Sequence, residues 1–139
     1  MPTFTGIYQE IAIDHQLVIP EIKPPAECIL DVIINFDITK AVVIDTPLLY
    51  PEDPNLELQK VLVVGTAKII VKYAADVPDQ QVHAAHFDVP FHALIEWPDG
   101  PPQGTPICVE PVIEKSRFCL IDGRHIFKII VVRLDIYTP

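Results

Sequence analysis

The sequence predicts an all-β chain: an antiparallel β-sandwich or partly open barrel of about 6–8 strands with little helix. Three observations carry that expectation. The stretch Val61 to Trp97 reads as two long runs in strict two-residue alternation, joined by a Pro/Asp turn. Val and Ile outnumber Ala and Leu, which is a strand composition. The 15 Pro fall between apolar runs and so act as punctuation.

Taken in chain order, residues 1–19 form an N-terminal arm or edge strand, closed by Pro20 and by Pro24-Pro25, which deny ladder donors. Cys28 to Phe36 alternates, so Cys28, Leu30, Val32, Ile34 and Phe36 are expected on one face, with Asp31, Asn35 and Asp37 opposite. Thr39 to Thr46 is a further short strand, ended by Pro47, and Leu48 to Leu58 is a polar loop. In the long hairpin Val61, Val63, Gly65, Ala67, Ile69, Val71 and Tyr73 share a face, as do Phe87, Val89, Phe91, Ala93, Ile95 and Trp97. Gly65, alone in an apolar strand, marks a bend or a close backbone approach.

Pro98 to Gly104 is the clearest loop. Ile107 to Ile113 and Phe118 to Ile121 follow as short strands, and Val109 to Phe118 is the one stretch compatible with a helical turn. Asp122-Gly123 is a hairpin turn. In the closing strand Arg124 to Tyr137, Ile126, Ile130, Val132, Leu134 and Ile136 take one side. Phe127, Ile129 and Val131 take the other, which predicts cover on both faces. Residues 1–139 fit one domain, large enough to bury a core without staples.

The net charge of −9 and a pI near 4.8 exclude nucleic acid and anionic membrane as expected partners, because no Lys/Arg cluster is present to meet phosphate. No stretch approaches the roughly 20 apolar residues of a membrane span. The first ten residues show neither a basic nor an apolar leader region, so cytoplasmic synthesis without a signal peptide is expected.

Chemistry-bearing residues are few. His86, Asp88 and His92 fall on one face of a regular strand, and imidazoles two apart can chelate zinc. However, the spacing spreads this trio over roughly 20 Å and Pro90 interrupts it, so these remain weak metal candidates and plain surface histidines are the expected reading. Ser116, the only serine, has no nucleophile elbow around it. No catalytic residue and no cofactor is expected. The expected protein is not an enzyme.

Cys28, Cys108 and Cys119 form no CxxC pair. They read either as reduced, small apolar residues or, given the odd count, as thiols for a disulfide between chains. Long strands with open edges invite pairing between copies, so homo-oligomerisation is a physical expectation. A small-ligand or glycan-binding module, with His86, His92 and Trp97 lining a groove, is the alternative.

Ile19 to Pro24 followed by an acidic, apolar strand resembles the entry of the SPOCS domain, the spore-coat-like domain of endospore-forming bacteria. Val71 to Asp76, Gln81 to His83 and Val89 to Phe91 are similar to its central part, and Ile113-Glu114 with Gly123 to Phe127 to its C-terminal part. The resemblance implies a structural protein of the coat or exosporium, partnered by itself and by other spore-layer proteins. It implies deposition on the spore surface after synthesis in the mother cell. Larger relatives carry a LysM module or a second copy of the domain, and this chain shows neither.

Overall fold

A computed structural model describes residues 2–139, apart from the side chain of Tyr50. The strands are β1 (Thr3–Ile13), β2 (Leu17–Val18), β3 (Ala26–Ile44), β4 (Leu49–Tyr50), β5 (Asp53–Ala75), β6 (Val82–Pro98), β7 (Cys108–Leu120) and β8 (His125–Thr138). No helix occurs among the described residues. Two antiparallel sheets result. In one, β5 lies between β3 and β6, and the short β4 hooks back onto the start of β5. In the other, β8 lies between β7 and the pair β1 and β2.

The alternation sets which faces meet. On β5, Val61, Val63, Ala67, Ile69, Val71 and Tyr73 are at most 1% exposed, and on β8 so are Ile126, Ile130, Val132, Leu134 and Ile136. These two central strands supply the core of a sandwich, each fully buried aliphatic side chain worth roughly 1.5–3 kcal/mol. Gly65 lies where β3 and a ring crowd β5: a Cβ there would stand 2.7 Å from Asp37 O and 2.8 Å from Phe91 Cζ. That space lets Phe91 meet Phe36 edge-on at 5.9 Å.

The proline segment between β2 and β3 carries the chain from one sheet to the other. It is pinned at both ends of the crossing. Tyr73 Oη donates to Pro24 O at 2.8 Å, and Arg124 Nη1 donates to Pro20 O and Lys23 O at 2.9 and 2.8 Å. Burial pushes the Tyr73 phenol above its ordinary range, which keeps it a donor.

Five expectations are corrected. Leu48 to Leu58 is not a loop throughout, because β4 takes Leu49–Tyr50 and β5 begins at Asp53. Cys28 and Leu30 point outward, because register shifts after Ala26 and after Ile29 put Ile29 on the inner face; the alternation resumes as expected at Val32, Ile34 and Phe36. Thr39 to Thr46 is no separate strand, since β3 runs through a further shift after Ile38 to Ile44. Val109 to Phe118 holds no helical turn; β7 is continuous, with an extra residue between Ile113 and Lys115. Among the described residues the outer side of β8 has no covering layer: Phe127 is 38% exposed, and Ile129 and Val131 are only half-buried.

Lys128 stands on the inner face of β8 between Ile126 and Ile130, fully buried. Its Nζ donates to His15 O at 2.6 Å, which fixes the break between β1 and β2. Burial lowers its pKa, and the charge of Asp14 partly offsets that.

Candidate functional site

His86, Asp88 and His92 do share the outer face of β6, as their spacing dictates. Their cross-strand neighbours on β5 are Ile70, Lys68 and Val64. Asp88 therefore sits opposite Lys68, whose ammonium also lies 3.8 Å from Asp37. That row is a charge ladder across the sheet, worth little at such exposure. Among the described residues no three His, Cys, Asp or Glu side chains gather in metal-binding range. Pro90 is accommodated because β6, among the described residues, pairs only with β5 and needs no donor on its free side.

Trp97 faces the other way. It packs against the core and under Gly100, where a Cβ would meet the indole at 2.9 Å. His86, His92 and Trp97 thus occupy opposite faces of one strand and do not line a common groove.

The clefts with the volume of a ligand site include the following two. One, of about 560 Å³, lies among Asp45, Leu48, Glu57, Gln59 and Gly100. At its wall Asp45 Oδ1 accepts from Gln59 Nε2 and, at 3.0 Å, from Gln103 N, while Asp45 N donates to Gln103 Oε1 at 3.1 Å. This network clasps the Pro98 to Gly104 loop to the end of β3. The other, of about 490 Å³, separates the free edge of β6 from the β1–β2 break and is lined by His15, Leu17, His86, Phe87, Val89 and Pro90. A recess of about 200 Å³ beside Ile11, Ile13, Phe91 and His92 shares His15 and Pro90 with it.

The strand edges are the more extensive feature. Among the described residues β3, β6 and β7 each pair along one side only, and β1 and β2 pair only with β8. All three thiols are exposed and unpaired, and all three lie on edge strands: Cys28 on β3, Cys108 and Cys119 at the two ends of β7. The two strands run beside each other on the same side of the sandwich. On the outer face of β8, Arg133 holds Asp135 with its Nε 2.6 Å and an Nη 2.8 Å from the carboxylate, under the Tyr8 ring at 4.9 Å. This two-point pair stiffens the sheet behind β7.

A family model described as SipL, SPOCS domain, matches residues 25–121. The chain belongs to the SPOCS-domain family. The match begins at the entry to β3 and ends in the turn after β7, so the SPOCS region holds the whole β3-β5-β6 sheet together with β7. β1, β2 and β8 lie outside it and complete the second sheet. The SPOCS likeness read at Val71 to Asp76, Gln81 to His83 and Val89 to Phe91 falls inside the matched residues; Ile19 to Pro24 and Gly123 to Phe127 fall outside. Membership makes this a sporulation-related protein. No curated protein and no solved structure matches the chain.

The edge placement of the thiols was not visible in the sequence, because Cys substitutes freely for a small apolar residue in an alternating pattern. The outward parity of Cys108 with Glu110 and Val112 was the available signal.

Proposed function

We propose that this is a non-enzymatic assembly protein of the bacterial spore envelope, coat or exosporium, acting by self-association and by contacts with other spore-layer proteins. The observation that carries the reading is the set of free strand edges, two of which bear exposed thiols. A sandwich whose outer strands pair on one side only carries backbone donors and acceptors at its rim that await another strand. The SPOCS membership supports a spore setting, with synthesis in the mother cell and deposition on the spore surface. No helix among the described residues is long and apolar enough to cross a membrane.

Analytical ultracentrifugation of the reduced chain across concentrations tests this. Dimers or larger species that grow with concentration are expected, and a monomer throughout would end the proposal. A second reading, a small-ligand or glycan-binding module, rests on the groove of about 490 Å³ beside β6. It predicts a glycan-dependent rise in melting temperature that Phe87→Ala removes; a panel of glycans without effect would dismiss it.

A further inference from the structure

We infer that β7 is a self-complementary edge, on which a second copy of this chain pairs antiparallel about a two-fold axis between Ile113 and Glu114. The inference rests on the self-association proposed above and names its interface. β7 pairs with β8 on one side only, so its other row of backbone groups is open among the described residues. In this register Cys108 stands opposite Cys119, Val109 opposite Phe118, Glu110 opposite Arg117, Pro111 opposite Ser116, and Val112 opposite Lys115. A two-fold axis repeats each pair, giving two Glu–Arg pairs and two Cys–Cys pairs per dimer.

The structure supplies the condition that makes the register consistent. Residues that face each other across a ladder must point to the same side of the sheet. In an unbroken strand Cys108 and Cys119, of opposite parity, would point to opposite sides. The extra residue between Ile113 and Lys115 reverses the parity. Consequently Cys108, Glu110 and Val112 pair with outward residues of β8, and so do Lys115, Arg117 and Cys119. Val109, Pro111, Ser116 and Phe118 pair with Ile136, Leu134, Ile130 and Lys128 on the inner side. Each of these five pairs thus joins outward to outward or inward to inward.

Charge and chemistry agree with the geometry. Among the described residues neither Glu110 nor Arg117 takes part in an ion pair within the chain. Opposed residues in an antiparallel ladder have Cα atoms about 4.5–5.5 Å apart, within the roughly 4.4–6.8 Å that a disulfide spans. Within one chain the two thiols end an extended strand, so some eleven residues, roughly 35 Å, separate them. A Cys108–Cys119 disulfide in the folded protein therefore joins two copies. Pro111, opposite Ser116, brings no backbone donor, so each chain lacks one there. By contrast, a two-fold axis through Ile34, in the middle of the regular run of β3, opposes Asp31 to Asp37, a like-charge pair.

The covalent step is thiol–disulfide exchange with a small-molecule disulfide such as oxidised glutathione. The Cys108 thiolate of one chain takes one glutathione sulfur and expels the other as thiolate. The Cys119 thiolate of the partner then displaces the bound glutathione. Two protein thiols are oxidised and one glutathione disulfide is reduced to two thiols.

The test uses the full chain, its Cys108→Ser and Cys119→Ser variants, and oxidised glutathione as the oxidant. Non-reducing peptide mapping of the wild type should find Cys108 joined to Cys119. Each variant alone should lose that link, and an equimolar mixture should recover a dimer with one such bond. Under reducing conditions Arg117→Glu should weaken the dimer by roughly tenfold, and Glu110→Arg combined with it should restore the affinity. Oligomers that persist with other cysteine pairings, and without response to the charge reversal, would overturn this register while leaving self-association standing. A monomer in every condition would remove the underlying proposal as well.

Discussion

Lys128 shows how one residue can run against the pattern that builds the fold. The alternation Ile126, Lys128, Ile130 inserts an ammonium into the sandwich core, where His15 O receives it. Because burial lowers its folded pKa below the ordinary 10.5, protonation favours the unfolded chain. The penalty is full below the folded pKa and fades as pH rises from there toward 10.5. Urea unfolding of Lys128→Met should lose this alkaline gain relative to the wild type, with stability at neutral pH equal or higher by up to roughly 2 kcal/mol. At Gly65 the constraint is steric. Gly65→Ala should destabilise by about 1–3 kcal/mol, because Asp37 O is backbone and cannot withdraw as a side-chain tip would; thermal unfolding checks this.

At the scale of elements, the β7–β8 turn is set by one carboxylate. Asp122 Oδ1 accepts from Arg124 N at 2.8 Å and His125 N at 2.9 Å, and its side chain also meets His125 Nδ1. The backbone hydrogen bond from Arg124, with those from His125, pulls its pKa from 3.8 down to about 2. A depressed carboxylate contributes stability above its unfolded pKa and loses it as pH falls through the folded one. Asp122→Asn should therefore flatten the loss of stability between pH 3.8 and about 2, measured by chemical denaturation across that window. The free edge of β7 makes a different prediction. Val112 is 42% exposed on its outward side, so Val112→Lys should weaken association while leaving the unfolding free energy within about 0.5 kcal/mol, as scattering and denaturation together would report.

These elements also show what the sequence could and could not convey. The hairpin of β5 and β6 was legible residue by residue, because both strands keep an unbroken alternation from Val61 to Tyr73 and from Phe87 to Trp97. The start of β3 was not, since a slip there exchanges Cys28 and Leu30 for Ile29, all of them apolar, and leaves no mark in the pattern. The extra residue in β7 was hidden likewise: Glu114-Lys115 reads as a break or a helical turn until the pairing with β8 shows one strand. Of the candidate site, the common face of His86, Asp88 and His92 followed from spacing, whereas the position of each strand in its sheet did not. Pairing order decides which thiols lie on edges, and several orders satisfy one alternation.

For the whole molecule, the division of labour is between two buried central strands and a rim of open ones. β5 and β8 hold the core, so the edges can meet other chains without disturbing it. The SPOCS match covers one full sheet and β7 and leaves β8 outside, so the family region includes the one-sided strands β3, β6 and β7. Size-exclusion chromatography with multi-angle light scattering on the full reduced chain, from sub-micromolar to high micromolar concentration, bears most directly on this picture. A mass that climbs from one chain toward two or more is predicted, and a mass fixed at one chain over the whole range would contradict it.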